Sequence, residues 1–229
     1  MMSGIRAAAC GVALIFSMSA AQARTRQDEQ LWINLTAMGS IKDDLIYFAE
    51  VQPRFRDGMS RADQVILRGA LGWKLSPKLS VYQGYGYIVL PVVGAPDNGE
   101  HRSFQQVSWT IGSIAGGGLS SRTRLEQRWR RGDGDAGWRL REMLRYVRSF
   151  NEEGKGSKAL VYAEGFVALN DTNWGARAGF DQIRTFLGLE IPVGAKSTIE
   201  AGYLNHYVNT AGPNNRMNHV ASLTLFFRH

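Results

Sequence analysis

Apolar and polar residues alternate along most of this chain, and the alternation is clearest between Ser120 and Phe150. One parity of this stretch carries charged side chains, and the other carries apolar or aromatic ones. The first parity comprises Arg122, Arg124, Glu126, Arg128 and Arg130, then, beyond Gly132-Asp133-Gly134-Asp135, Arg139, Arg141, Met143 and Arg145. Because residues i and i+2 lie on one face of a β-strand, the stretch is predicted to be a hairpin with one charged and one apolar face.

The same period of two recurs along the rest of the chain and predicts eleven strands. They are Leu31–Met38, Asp44–Arg54, Gln64–Lys74, Leu79–Leu90, Arg102–Ile114, the two strands of the arginine hairpin, Ala159–Leu169, Ala178–Ile191, Thr198–Val208 and Asn218–Arg228. Short connections alternate with longer loops, as in outer-membrane barrels. The pattern predicts an all-β fold: a transmembrane antiparallel up-and-down β-barrel with apolar side chains toward lipid and a polar Arg/Glu-lined lumen.

Two details of the alternation conflict with a regular barrel. Bacterial single-chain barrels have even strand numbers, so we expect about 10–12 strands, with the Trp32 segment outside the wall or one strand missed or split. In addition, Gln83, Gln127 and Glu142 fall on faces assigned to lipid. A charge at mid-bilayer is costly on a barrel wall, so we expect Glu142 to lie near the rim or the strand register to slip there.

A secretory leader precedes the first strand. Arg6 supplies its positive charge, Ala7–Met18 its apolar core, and Ala21-Gln22-Ala23 a small-x-small cleavage site. We therefore expect a cleaved signal peptide over residues 1–23 and a single barrel domain over residues 24–229, exported to the outer membrane of a Gram-negative bacterium. Cys10 lies inside the leader, so the mature chain would have no cysteine for disulfides, metal binding or nucleophilic catalysis.

The chain is basic, with a formal net charge of +7, and its 21 arginines outnumber its 6 lysines. Basic chains are candidates for nucleic-acid binding, but export and strict alternation argue against a nucleic-acid partner. The planar fork of arginine suits pairing with carboxylates, as in a packed polar lumen. We expect outer-membrane lipids as partners and no cofactor or metal, and the composition does not indicate an oligomeric state.

A set of charged residues at inward positions is the main candidate site. Its members are Glu50, Arg54, Arg68, Arg124, Glu126, Arg128, Arg141, Glu164, Arg184 and Glu200. They could form an anion path or a site for a phosphate-bearing lipid. The favoured interpretation is a plug, because small barrels fill their interiors with side chains and unpaired buried charges are costly. Arg124 and Arg128 flank Glu126 on one face and are its expected partners.

Weak catalytic candidates lie near the end of the chain. His206 and His219 would lie across from one another if the Asn209–Met217 loop closes a simple hairpin, with Ser222 nearby. A histidine base and a serine nucleophile could serve a lipid hydrolase, but no Gly-rich nucleophile elbow accompanies them. We expect a non-enzymatic outer-membrane barrel that acts structurally, as a narrow pore or as a binding surface. The alternative is an outer-membrane lipid-modifying hydrolase.

Short motifs occur in a fixed order over nearly the whole mature chain. They are Leu31-Trp32, Glu50-x-Gln52-x-Arg54, Gly84-Tyr85-x-Tyr87, Glu100-x-Arg102-x-x-Gln105-Gln106, Arg122-x-Arg124-Leu125-Glu126-Gln127-Arg128, Arg139-Leu140-Arg141, Glu164-x-Phe166, Phe180-Asp181-Gln182-x-Arg184 and Glu200-x-Gly202-Tyr203. This order resembles an uncharacterised bacterial outer-membrane β-barrel family, the domain of unknown function DUF2490. The resemblance implies an outer-membrane barrel and no particular activity.

The last strand carries an expected recognition signal. It ends Leu223-Thr224-Leu225-Phe226-Phe227-Arg228-His229, with apolar residues at alternate positions and a late aromatic residue. This ending resembles the C-terminal signal that the outer-membrane barrel-assembly machinery reads, although in that signal the aromatic residue usually comes last. We therefore expect this machinery to be a partner of the final strand.

Overall fold

Alternating apolar and polar residues form eleven β-strands in the computed structural model, which describes residues 25–92, 94, 98–132, 134–151, 153–154, 156–194, 196–210 and 214–229. The strands are β1 (Arg26–Lys42), β2 (Leu45–Arg56), β3 (Arg61–Ser76), β4 (Leu79–Leu90), β5 (Asn98–Ile114), β6 (Gly117–Arg130), β7 (Gly137–Ser149), β8 (Lys158–Ala168), β9 (Gly179–Pro192), β10 (Thr198–Val208) and β11 (Arg216–Arg228). The signal peptide predicted over residues 1–23 lies outside the described residues. Within the part of the chain that the structure describes, no helix is both long and apolar enough to cross a membrane.

The strands close into one barrel, in which each strand pairs antiparallel with the next. The predicted all-β up-and-down barrel is therefore confirmed, with one difference at its seam. There β1 and β11 pair in parallel, from Arg26↔Arg216 to Met38↔Arg228. An odd number of alternating strands leaves the first and last pointing the same way, so closure must be parallel. The expectation of an even strand number is wrong, and Trp32 belongs to a full wall strand.

The two ends of the barrel differ in their connections. The tightest connections, at Asp43-Asp44, Pro77-Lys78 and Ala115-Gly116, all lie at one end, which we call the turn end. Ala115 and Gly116 have positive φ angles of 47° and 77°, as a two-residue hairpin turn that follows the strand twist requires. The opposite end, called the loop end, carries the longest connection, between β8 and β9. It also carries the start of β1.

The outer face of the barrel is mostly apolar. Leu71 is 57% exposed and Leu187 65% exposed on this face. Exposed tryptophans lie toward both ends, with Trp73 toward the turn end and Trp129 toward the loop end. Glu142 also lies on this face, in the middle of β7, and its ladders to β6 and β8 run through without a register shift there. The expectation that Glu142 lies at the rim, or that the register slips, is therefore wrong.

The lumen is less uniformly charged than the alternation predicts. One buried apolar cluster gathers inward side chains from β1 and β8 to β11, and a second one gathers side chains from β2, β3 and β5. The first comprises Trp32, Leu160, Phe186, Leu204 and Val220, and the second Phe48, Ala70 and Phe104. These side chains fill volume on the inner face that charged groups could occupy only with partners. The lumen therefore combines an apolar filling with a charge network.

Glycine at position 84 makes room for one of these fillers. Gly84 on β4 pairs directly with Phe104 on β5. A Cβ atom at Gly84 would lie 2.0 Å from the Phe104 ring, so the ring occupies the space that a side chain would need. The aromatic ring thus covers the inner face of the glycine, and the two residues act as one packing unit.

Replacing Gly84 by alanine should destabilise the barrel, because Phe104 must leave its position. Overpacking of this kind typically costs about 1–3 kcal/mol. Gly165→Ala is the matched control, since a Cβ at Gly165 in β8 meets no atom within 4 Å. Thermal melts of the two purified variants in detergent would measure the difference. Equal melting temperatures for both variants would contradict this description of the packing.

Candidate functional site

Arg141 lies at the centre of a buried charge network in the lumen. Its Nη1 atom is 2.6 Å from Glu126 on β6, and its Nη2 atom is 2.7 Å from Glu164 on β8. The two carboxylates are only 1% and 3% exposed. One guanidinium group from β7 therefore holds together carboxylates from both neighbouring strands through charge-assisted hydrogen bonds.

The network extends from this centre across β6 to β9. Arg139 lies 2.6 Å from Glu126 and 3.0 Å from Asp181 on β9. Arg122 lies 2.9 Å from Glu164. Glu126 and Glu164 thus each accept from two arginines, and each of Arg139 and Arg141 donates to two carboxylates. Such sharing satisfies most donors and acceptors in a space with little water.

The expected pairing of Glu126 with Arg128 is wrong, and its pairing with Arg124 is present only as a long ion pair. Arg124 Nη1 remains 3.9 Å from Glu126, and the Arg124 Nε atom donates to the side-chain oxygen of Gln106 at 2.9 Å. Arg128 pairs with Glu100, its Nε lying 2.7 Å from the carboxylate. Residues two apart on one strand are separated by about 6.6 Å of rise, whereas directly opposed residues on neighbouring strands are about 5 Å apart. The close partners of Glu126 therefore lie on the neighbouring strand β7, at Arg139 and Arg141.

All ten residues of the predicted charge network face the interior of the barrel, but in separate groups. Glu50 pairs with Arg68 at 2.7 Å, and Glu200 pairs with Arg145 at 2.6 Å, apart from the Arg141 centre. The candidate set left out several further inward charges, although the alternation places Arg122, Arg139 and Arg145 on the charged face of the hairpin. The omitted charges are Glu100, Arg102, Arg122, Arg139, Arg145, Asp181 and Glu190. For most of them the parity of the strand was available as a signal.

Arg54 and Arg184 differ from the other lumen arginines because both contact one tryptophan. The Arg54 guanidinium lies 3.6 Å from the centre of the Trp32 ring, and that of Arg184 lies 5.0 Å from it. Among the described residues Arg54 has no carboxylate in ion-pair contact and donates instead to Gln52, with its Nη2 2.7 Å from the amide oxygen. Arg184 has a carboxylate, Glu164, only at 3.8 Å. Two weakly neutralised cations therefore share one aromatic surface.

The charge network divides the lumen into two chambers. The loop-side chamber has a volume of about 540 Å³ and reaches the rim at Arg56 and Arg61. The turn-side chamber has a volume of about 340 Å³ and is lined by a mixture of polar and apolar side chains. Residues that line both chambers form the partition between them. They are Trp32, Arg54, Arg68, Arg141 and Arg184.

Positive charge dominates the loop-side chamber. Among the described residues, twelve arginines and four carboxylates line it. Four further carboxylates, Glu50, Glu126, Glu164 and Asp181, pair with arginines of this wall, and an excess of positive charge remains. Several guanidinium nitrogens of this wall are also buried without a hydrogen-bond partner in the described structure, among them Nε of Arg130 and Nε of Arg184. The chamber therefore has donors available for an anionic ligand.

The weak catalytic candidates do not come together. His206 on β10 pairs with Asn218, not with His219, and its side chain is buried in the lumen between Gln182 and Asn218. His219 lies one residue further on β11, so its side chain is on the outer face, 2.7 Å from the hydroxyl of Tyr203. The expected pairing of the two histidines is therefore wrong, and Ser222 faces the lumen without either of them in hydrogen-bond contact. Within the described residues, no group of three or more His, Cys, Asp or Glu side chains could hold a metal ion.

Removing the central arginine should cost much more stability than removing a rim arginine. Arg141→Ala leaves Glu126 and Glu164 buried with fewer partners, and breaking a buried pair costs about 3–5 kcal/mol. Arg61→Ala removes an exposed pair with Asp57 at the rim, which should cost less than about 1 kcal/mol. Denaturant unfolding of both variants in lipid vesicles would compare the two free energies. A similar loss in both variants would contradict the central role of Arg141.

Comparison with known proteins gives a family for this barrel and no activity. An uncharacterized protein of Methylorubrum extorquens is 50% identical over 218 residues, which cover 94% of each chain. Among solved structures, outer-membrane expressed OmpT of Vibrio cholerae is similar with a TM-score of 0.40 and 14% identity, over 79% of this chain and 61% of that one. The chain thus spans less than two thirds of that structure's length. The family described as protein of unknown function (DUF2490) matches residues 29–218, and the chain belongs to this family.

Proposed function

We propose that this protein is an outer-membrane β-barrel with a closed lumen, and that its loop-side chamber binds a small anion of the phosphate class. The observation that carries the proposal is the pair of guanidinium groups on Trp32, those of Arg54 and Arg184, in a chamber with an excess of arginines. In this proposal the protein binds an anion, and it neither catalyses a reaction nor conducts solutes freely.

The outer face supports the membrane location. A tilted strand needs about 9–11 residues to cross a bilayer, and the shortest strands here, β8 and β10, have 11 residues. Apolar side chains cover the wall, and exposed tryptophans lie toward both ends, as in the aromatic girdles of membrane barrels. The predicted signal peptide agrees with export. Short turns are periplasmic in such barrels. The turn end and the C-terminus would therefore face the periplasm, and the loop-side chamber would open to the cell exterior.

The filled lumen argues against a general porin. Barrels of about eight strands are filled by side chains, whereas those of 16–18 strands leave a water channel. In a barrel of eleven strands, the size of the inward side chains determines whether a water channel remains. Here the inward side chains are long arginines held by carboxylates, together with two apolar clusters. The residues that line both chambers, with Arg141 among them, lie where the two chambers meet, which supports a closed path.

The chemistry of the loop-side chamber favours phosphate. The guanidinium fork binds phosphate oxygens in pairs, with geometry that lysine cannot reproduce. Clefts lined by one sign of charge concentrate ligands of the opposite sign. A phosphate group beside Trp32 would supply acceptors for Arg54 and Arg184, which lack close carboxylates. The ligand would thereby neutralise two like charges that otherwise lie near each other.

Inorganic pyrophosphate should bind the purified protein in detergent, with an affinity that falls as salt is added. The double variant Arg54→Gln/Arg184→Gln should weaken binding at least tenfold. Arg148→Gln, which alters an exposed arginine on β7 at the turn end, is the matched control and should bind like the wild type. Isothermal titration calorimetry would measure all three proteins. No binding by the wild type, or equal binding by the double variant, would contradict the proposal.

The wild type should show little or no steady conductance in planar lipid bilayers. Arg54→Ala/Arg141→Ala shortens two side chains of the partition and should raise the current severalfold, with an anion preference from the remaining arginines. Arg56→Ala/Arg61→Ala changes two arginines that line only the loop-side chamber and should leave the current low. A wild type that conducts like a general porin would contradict the closed lumen, as would a partition variant without increased current.

A further inference from the structure

A polar patch interrupts the apolar outer face of β4 to β7. Its six residues, called here the outer polar patch, are Gln83, Ser103, Gln105, Thr123, Gln127 and Glu142. The ladders place Gln83 opposite Gln105, Ser103 opposite Gln127, and Thr123 opposite Glu142. The patch therefore runs sideways across four strands near half the height of the wall.

The patch is hydrogen-bonded within itself along most of its length. The Gln127 amide donates to the side-chain oxygen of Gln105 at 2.9 Å, and the Gln105 amide donates to that of Gln83 at 2.8 Å. The Gln83 amide in turn donates to the hydroxyl of Ser103 at 3.1 Å. Gln105 and Gln127 each use one amide N–H in these bonds and keep the second one, whereas Gln83 donates its second N–H to the Gly84 carbonyl at 3.2 Å. Because Gln127 is only 7% exposed, Gln105 is the glutamine whose amide keeps a donor available to a partner outside the wall.

Glu142 is the acceptor at the β7 end of the patch. It accepts hydrogen bonds of 2.5 Å from the hydroxyls of Ser121 and Thr123, yet its side chain is exposed on the outer face. Hydrocarbon offers no donor to a carboxylate, and polar groups facing it at mid-depth are unfavourable. Outer-membrane lipids expose only acyl chains at this height. The patch is thus poorly matched to lipid.

Apolar side chains border the outer polar patch, and a second group of outer polar side chains, Asn205 and His219 beside Tyr203, lies apart from it on β10 and β11. Large apolar side chains flank the outer polar patch above and below, such as Leu140, Leu144 and Trp109. On β8 and β9, which follow β7 around the barrel, the apolar side chains of Val161 and Leu187 are also exposed on the outer face. A polar area with an apolar surround is the arrangement of a contact surface within the membrane, where polar groups find partners on another protein.

We propose that the outer polar patch joins two copies of this chain into a dimer, an inference that rests on the proposed membrane location. Two identical barrels in one membrane are related by a two-fold axis along the membrane normal. Residues at the same depth in the membrane therefore meet at the contact. The order of the strands in one copy runs opposite to their order in the other copy. With the axis between β5 and β6, Glu142 on β7 of one copy faces Gln83 and Gln105 of the other. The carboxylate then meets the unused amide N–H of Gln105, and the contact occurs twice.

The complementarity of the two ends of the patch selects a second copy as the occupant. The β5 side of the patch offers the unused amide N–H of Gln105, the β7 end offers the Glu142 carboxylate as an acceptor, and a two-fold axis brings these unlike parts together. An unrelated membrane protein would need the reverse arrangement on its own surface. The same symmetry places Ser103 on β5 close to the axis and thus close to its counterpart in the other copy.

Cross-linking in isolated outer membranes tests the dimer. If the leader that contains Cys10 is removed, Ser103→Cys introduces the single thiol of the mature chain. A short thiol-reactive cross-linker should give a product of twice the chain mass, at least fivefold more abundant than with Thr185→Cys. Thr185 is exposed on β9, away from the patch, and serves as the matched control. Equal yields from the two variants, or a product containing a different protein, would overturn the proposal.

A mass measurement in lipid nanodiscs supplies a second test. The wild type should have the mass of two chains, and Gln105→Leu/Glu142→Leu should reduce the dimer fraction at least tenfold while the barrel stays folded by heat-modifiable gel mobility. A wild-type monomer, or a double variant that remains dimeric, would overturn the dimer. Absence of the wild type from the outer-membrane fraction would instead refute the proposed location, so the two failures are distinguishable.

Discussion

Long arginine side chains inside a narrow barrel must find acceptors, and this requirement shapes the rest of the structure. Arg141 meets it by bridging Glu126 and Glu164, which are almost fully buried on the two neighbouring strands. A buried charge without a partner is strongly destabilising, whereas a paired one can be tolerated. The ion pairs therefore link neighbouring strands inside the lumen, and the arginines without close carboxylates contribute to the positive charge of the loop-side chamber.

The parallel seam fits the same picture. Parallel pairing is slightly less stable per residue than antiparallel pairing, and β1 and β11 compensate with a long ladder that has no register shift. Side chains from both sides of the seam meet in the lumen, where Trp32 packs with Val220 and Leu204. Trp32 also carries the Arg54 guanidinium on its ring. One residue of the first strand thus links the seam, the apolar filling and the chamber.

The sequence predicted the strands and the inward parity well, because a period of two is a local property of the chain. It failed where the answer depends on how one strand lies against the next. Glu126 was assigned to its neighbours in sequence, while its close partners are Arg139 and Arg141 across the ladder. His206 and His219 were paired from loop length alone, and a register difference of one residue places them on opposite faces. Closure by a parallel pair follows from the eleven strands that the pattern predicts, and it was missed because an even strand number was expected.

A double-mutant cycle between Arg141 and Glu164 tests most directly whether the buried charge network holds the barrel together. Unfolding free energies of the wild type, Arg141→Met, Glu164→Gln and the double variant in lipid vesicles give the coupling energy of the pair. We expect a coupling free energy between Arg141 and Glu164 of at least about 1.5 kcal/mol, within the range for residues that share one buried network. A coupling below about 0.5 kcal/mol, as for independent sites, would contradict this expectation.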